Sequence, residues 1–253
     1  MNRGLRAHLA GSAVTALLIG APLDAGPVEI VDQGNFILYQ NDRAVGAEVF
    51  TVEVAGDSLI VASRLYETRT TDRGDEQFEK QMMLIASRSD FGLRSYQSTM
   101  TFRGQKLTRG IVMGDTALTL YRESEQGGVG DRIVAPPGRI FVVDARLFTL
   151  FDLICLSLHG KTFDSRPLTM LTLGARDSVL EATATDLGSE TIRWGARPVQ
   201  TRKLQITDGS TTFMVWANSA GKMLRLEHRE SATRVERQPP AIKKRTAPPK
   251  PGG

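Results

Sequence analysis

The residues able to do chemistry are few, and they are scattered. The chain holds three histidines and one cysteine. His8 falls in an apolar N-terminal leader, His159 closes an apolar run, and His228 closes an alternating one. A zinc site needs His and Cys spaced to converge, as in H-x-x-x-H, and neither His159 nor His228 has such a neighbour. Ser157-x-His159 sets a hydroxyl near an imidazole, yet no G-x-S-x-G elbow surrounds it. Glu76 with Glu79, and Glu227 with Glu230, are carboxylate pairs of the kind a glycosidase uses. That chemistry also requires a set separation and a raised pKa in one partner. These pairs lie instead on stretches whose charged side faces water. Cys155 sits among apolar residues, where a thiol serves as a small hydrophobe, and a single cysteine excludes an internal disulfide. Gly127, Gly128 and Gly130 in Glu123–Asp131 do not open a helix with dinucleotide spacing, and no phosphate-loop lysine follows them; a mobile loop is expected there. The chain therefore reads as non-enzymatic, with no metal and no cofactor.

The elements that would position a site are mostly strands. From Gly188 to Arg229 alternation and turn signals are plain. Leu204 and Ile206 face one way and Lys203 and Gln205 the other, the period of a half-buried strand. Asp208-Gly209 turns the chain into Thr211–Ala217, which is apolar on both faces and so must be covered on both. Gly221 suits the next reversal, and Met223–His228 returns. Upstream, Asn35–Gln40 and Val45–Val54 form a hairpin through Asn41–Arg43, and Ser58–Thr68, Glu79–Ser87, Leu93–Phe102, Lys106–Met113 and Thr116–Glu123 continue the meander. The fold class expected is mainly β: a curled antiparallel sheet, an open or half barrel, with one buried apolar helix on its concave side.

That helix is Asp144–Gly160 (DARLFTLFDLICLSLHG), with Asp144 as its N-cap and Gly160 in the left-handed position that ends it. It is apolar nearly all round, so it must be buried nearly all round. Either it plugs the core, or it is a lid over an apolar cavity for a lipid-like ligand. In the second case Phe148, Phe151 and Leu158 would line the cavity with Met214 and Trp216. The strand Thr211–Ala217 must meet the helix through Met214 and Trp216 or through Phe213 and Val215.

Charge and composition set the remaining bounds. At 253 residues and 41% hydrophobic the chain can bury one large core. Its net charge of +4 hides an uneven distribution. Arg234, Arg237, Lys243, Lys244, Arg245 and Lys250 face only Glu236 near the C-terminus, so the rest of the chain is close to neutral. A nucleic-acid surface needs clustered cations on the fold itself, so no nucleic-acid partner is expected. Met1–Ala25 has the basic start, short apolar stretch and small cleavage residue of a signal peptide, which predicts a periplasmic or secreted protein. Residues 30–230 form one β-rich domain. Residues 231–253, rich in Pro and Lys/Arg, read as a disordered tail able to touch anionic envelope surfaces.

Two segments carry a resemblance. Gly34–Glu53 (GNFILYQNDRAVGAEVFTVE) resembles the opening of a family of exported, β-rich bacterial proteins of unknown function. Gly188–Glu227 resembles its close, through Glu190-Thr191-Ile192, Val215-Trp216-Ala217-Asn218 and Gly221-Lys222-Met223-Leu224. The resemblance implies export and an all-β domain; the family has no assigned reaction, so it supplies no catalytic residue. More distantly, the layout is similar to the half-barrels of periplasmic lipoprotein carriers, which enclose acyl chains against several helices where this chain offers one.

Overall fold

The computed structural model describes residues 28–240, apart from residues 73 and 175. The signal peptide expected at Met1–Ala25 and the last part of the expected tail, 241–253, lie outside the described residues.

Eight strands run in sequence order as an antiparallel meander: β1 (Glu29–Gln40), β2 (Arg43–Ala55), β3 (Ser58–Thr71), β4 (Gly74–Ser87), β5 (Leu93–Phe102), β6 (Gln105–Met113), β7 (Ala117–Ser124) and β8 (Gly127–Val134). After β9 (Ile140–Asp144) and the helix α1 (Thr149–Leu158) a second series follows. It comprises β10 (Ser165–Leu173), β11 (Ser178–Trp194), β12 (Arg197–Thr207), β13 (Thr212–Ala217), β14 (Met223–His228) and β15 (Thr233–Arg237). β15 pairs with β1, which joins both series into one 15-stranded sheet with β8 at one edge and β9 at the other. The ladder does not close into a barrel. All neighbours are antiparallel except β9 and β10, which the helix connects in parallel. A parallel pair needs such a crossover because its ends lie at opposite ends of the strands.

Local chemistry sets the reversals. Asn41 and Asp42 both have positive φ, 50° and 62°, as a two-residue hairpin turn between twisted strands requires. Gly221, at φ 77°, lies against the end of the helix, where an added Cβ would stand 2.6 Å from the Cβ of His159.

The sheet curls so that one face becomes the interior. Phe50, Val52, Val61, Leu65, Met82, Leu84 and Tyr96 point inward from β2 to β5 and are buried. Cross-strand rows such as Val52, Val61, Leu84 and Tyr96 keep that face continuous. The β9 edge turns into this interior, and Ile140, Phe141 and Val142 are buried although they alternate in direction. The mainly β fold with a buried helix inside a curled sheet is therefore as the sequence predicts.

Three local readings are corrected. The Gly-rich stretch is not a loop: Gly127–Val134 is the edge strand β8, paired along its length to β7. An edge strand packs on one neighbour only, so glycines and exposed charges suffice there. Thr233–Arg237, expected to begin the tail, is β15 inside the sheet, with Val235 fully buried. Arg237 hid its alternation, since the inward position that should be apolar holds an arginine. Asp144 does not cap the helix, which starts later, at Thr149. It ends β9, where Lys80, Tyr96 and Ser98 bind its carboxylate, the last two at 2.5 and 3.2 Å.

Candidate functional site

The helix fills the interior. Leu147, Leu150, Ile154 and Leu158 are at most 1% exposed, and Phe148, Phe151, Leu153 and Cys155 are buried beside them. The ring of Phe151 lies 4.6 Å from that of Phe213, and Val215 joins the same core. Of the two faces that β13 offers, the helix therefore takes Phe213 and Val215. Phe148, Phe151 and Leu158 come together in the core. Met214 and Trp216 point away from them, into a small separate cluster with Ile192, Trp194, Val199 and Leu224 on the outside of the sheet. Lys203 Nζ stands 5.1 Å over the Trp216 ring there.

The helix termini are held from the sheet. Glu48, on β2 and fully buried, accepts the Phe148 N–H at 2.7 Å and the Thr149 hydroxyl at 2.7 Å. It does from a distant strand what an N-cap side chain does locally. Burial pushes its pKa up, and the bonds from Thr149 and Phe148 pull it partly back.

A second buried carboxyl carries more chemistry. Asp152 accepts the Met223 N–H at 2.5 Å and lies 3.6 Å from Arg237 Nη1. Burial pushes its pKa up to about 7, against the pull of Arg237 and with the help of the neighbouring negative charge of Asp32. Asp32 on β1 accepts Arg237 Nη2 at 2.5 Å and Lys222 Nζ at 2.8 Å through the same oxygen, Oδ1. Burial raises its pKa, but these two cations outweigh it and hold the net value below the usual carboxylate range. Next to the group is an open pocket of about 590 Å³, lined by Asp32, Lys222, Arg237, Trp194, Asn218 and Gln238 among others. Sequence reading passed over this cluster, yet one signal was present. Asp152 is an acid on a helix otherwise apolar on nearly all sides, and a buried acid needs partners.

On the outer face, β2 to β5 form a shallow groove of about 630 Å³. Val49, Tyr66 and Met83 remain 43–48% exposed around it, unusual for large apolar side chains within long central strands. The row Thr51, Ala62, Met83, Gln97 crosses its floor, and the small Ala62 leaves the depression. Arg64 stacks 4.9 Å over Tyr66 and pairs with Glu79 at 2.6 Å, so its charge is already answered. Among the described residues no group of His, Cys, Asp and Glu could hold a metal ion.

No family model matches the sequence, and no curated protein matches it. Among solved structures, a DUF1089 family protein from Pseudomonas aeruginosa is similar over 74% of this chain and 90% of its own, at 11% identity and a TM-score of 0.49.

Proposed function

We propose that this chain is an exported, non-enzymatic binding protein that carries a lipid-like molecule along the outer face of its sheet. The observation behind this reading is the groove over β2 to β5, with Val49, Tyr66 and Met83 exposed around it and its one lining cation, Arg64, paired with Glu79. Its volume falls in the range of small-molecule sites, and clustered exposed apolar residues mark interaction surfaces. The space under the helix is filled by Phe151, Phe213 and their neighbours, so the ligand is assigned to the outside. Export rests on the basic, then apolar, leader Met1–Ala25.

A fluorescent fatty acid tests the reading. Saturable binding to the full chain is expected, weakened at least ~10-fold by Met83→Glu, which sets a charge against the acyl chain. The outward position of Met83 leaves the core intact, and thermal unfolding should confirm that. Absence of binding, or binding indifferent to Met83→Glu, would sink the groove assignment. The packed interior would then favour the second reading, an envelope interaction protein in which the helix is a core plug.

A further inference from the structure

The two edges of the sheet are treated differently. β9 is turned inside, with Ile140, Phe141 and Val142 buried, whereas every residue of β8 except Ile133 is exposed. Ala135 donates its N–H to the Thr116 carbonyl at 3.0 Å, so the positions of β8 bonded to β7 are the odd-numbered ones. The N–H and C=O groups of Gly128, Gly130, Arg132 and Val134 therefore point outward in the plane of the sheet. Proteins commonly blunt such an edge with lysine, proline or a bulge. β8 holds no lysine and no proline, and its ladder with β7 runs without a register shift. One outward donor is engaged locally: the exposed Asp131 carboxylate accepts the Arg132 N–H at 2.7 Å.

Two further observations bear on what this edge receives. The fold does not demand glycine at 128 or 130, since neither has a positive φ. A Cβ added at Gly128 would meet only the Arg122 carbonyl oxygen at 3.6 Å, and one at Gly130 only that of Leu120 at 3.8 Å, both ordinary contacts. Glycine weakens a strand interior, and its use there often marks the close approach of another backbone. Beside these glycines, on the concave face, lies a pocket of about 480 Å³. Val129 and Asp131 form its β8 wall, Leu107 and Leu120 its apolar floor, and Arg176 closes its far side. Val129 stays 71% exposed there, at the place where the inward side chains of a strand laid against β8 would fall.

We propose that β8 is a docking edge for an extended peptide segment of another protein, which adds to the sheet as a further strand and seats an apolar side chain in this pocket beside Val129. Backbone bonds to Gly128, Gly130 and Val134 supply affinity, and the pocket selects the side chain. The exposed bond between Asp131 and Arg132 is exchanged for a ladder bond as the strand docks. A second copy of this chain fits worse. Two copies pairing antiparallel about a two-fold axis set each residue opposite one on the same face of the sheet. The registers that pair most of β8 then place Asp131 against its own copy or against Val129. Like charges directly opposite are destabilising, and an inward charge on an edge strand is a recognised guard against such pairing. The edge shares no residue with the outer groove and does not depend on it.

The test offers the full chain a fluorescently labelled peptide of alternating Thr and Val with Lys at each end. Saturable binding is expected, with new protection from hydrogen exchange at the Gly128, Gly130 and Val134 amides. The same peptide N-methylated along its backbone keeps its side chains and should not bind. A peptide with Asp in place of Val should bind at least ~10-fold more weakly, because the pocket floor is apolar. Gly130→Pro removes an outward N–H that β7 does not use, so β8 stays paired, and it should weaken binding at least ~10-fold. Met83→Glu should leave binding unchanged, which separates this edge from the groove. Binding of the N-methylated peptide, or no new protection along β8 with the unmodified one, overturns the docking edge. A dimer of the free chain in sedimentation that Gly130→Pro dissolves overturns the choice of occupant and gives the edge to a second copy.

Discussion

The wall of the sheet and the place where the sheet meets itself are built from opposite materials. Along β1 to β5, cohesion comes from backbone ladders and from inward rows of apolar side chains such as Val52, Val61 and Leu84. Where the β9 edge turns inside, no ladder joins it to the strands it faces, and buried charge takes over. Lys80 on β4 and Tyr96 and Ser98 on β5 bind Asp144 at the end of β9. Glu67 on β3 holds Arg146. Arg109 on β6 and Arg122 on β7 hold Asp177 beyond β10, at 3.3 and 2.7 Å. Glu48 on β2 holds the start of the helix. An apolar row tolerates a slip by two residues; a buried carboxylate with fixed partners does not. The wall thus supplies bulk stability, and the seam fixes how far the sheet curls.

Removing one partner of a buried pair leaves an uncompensated charge, a larger loss than a missing contact. Lys80→Ala strands Asp144 in the core and should cost about 4 kcal/mol by urea unfolding. The comparison sharpens if the double variant Lys80→Met with Asp144→Leu recovers most of that loss while the chain becomes less uniquely packed, seen as broadened NMR signals from β9. If the double variant stays both destabilised and sharply folded, the seam's charges contribute stability rather than register.

Glu48→Ala comes next in size. It removes the acceptor for the Phe148 N–H and the Thr149 hydroxyl at a helix start with no side-chain cap of its own. Loss of a buried charge-assisted cap should cost about 3 kcal/mol. Glu48→Gln keeps one acceptor and should recover about half. Equal losses in both variants would show that packing of the glutamate stem, not capping, is what β2 supplies.

The same contrast explains what sequence reading could reach. Alternation at Leu204 and Ile206, or Leu224 and Leu226, belongs to each strand alone, so β12 and β14 were legible. The all-round apolar helix announced its burial for the same reason. The seam is written in single polar residues whose meaning depends on distant partners. Glu48 and Thr149 stand 101 positions apart, and nothing near Glu48 points to a helix terminus. Asp144 illustrates the cost: its type and place suited an N-cap, and only the approach of β4 and β5 reassigns it. The candidate binding regions were less legible still. Whether β13 meets the helix through Met214 and Trp216 or through Phe213 and Val215 stayed open in the sequence, because an apolar strand with two covered faces does not say which face meets which cover. Val49, Tyr66 and Met83 follow ordinary strand alternation, and only the curl of β2 to β5 gathers them into a groove.

The smallest effect separates the two materials by pH. Burial raises the folded pKa of Asp152 to about 7, well above the ordinary carboxylate range, so between the two the folded state binds more protons than the unfolded one. Stability conferred by its neutral form is then present at acid pH and declines as pH rises toward 7. Asp32, whose pKa is lowered, changes its contribution only below the ordinary carboxylate range and leaves that window unaffected. Asp152→Asn retains an acceptor for the Met223 N–H without the titrating proton. Relative to the parent chain it should gain about 1–2 kcal/mol on going from about pH 5 to about pH 8, read by urea unfolding at both values. A wall substitution such as Val61→Ala, which leaves a void and no charge, should cost the same at both. If the two variants show parallel pH profiles, Asp152 titrates as an ordinary carboxylate, and the charged interior around the helix differs from the wall in composition but not in behaviour.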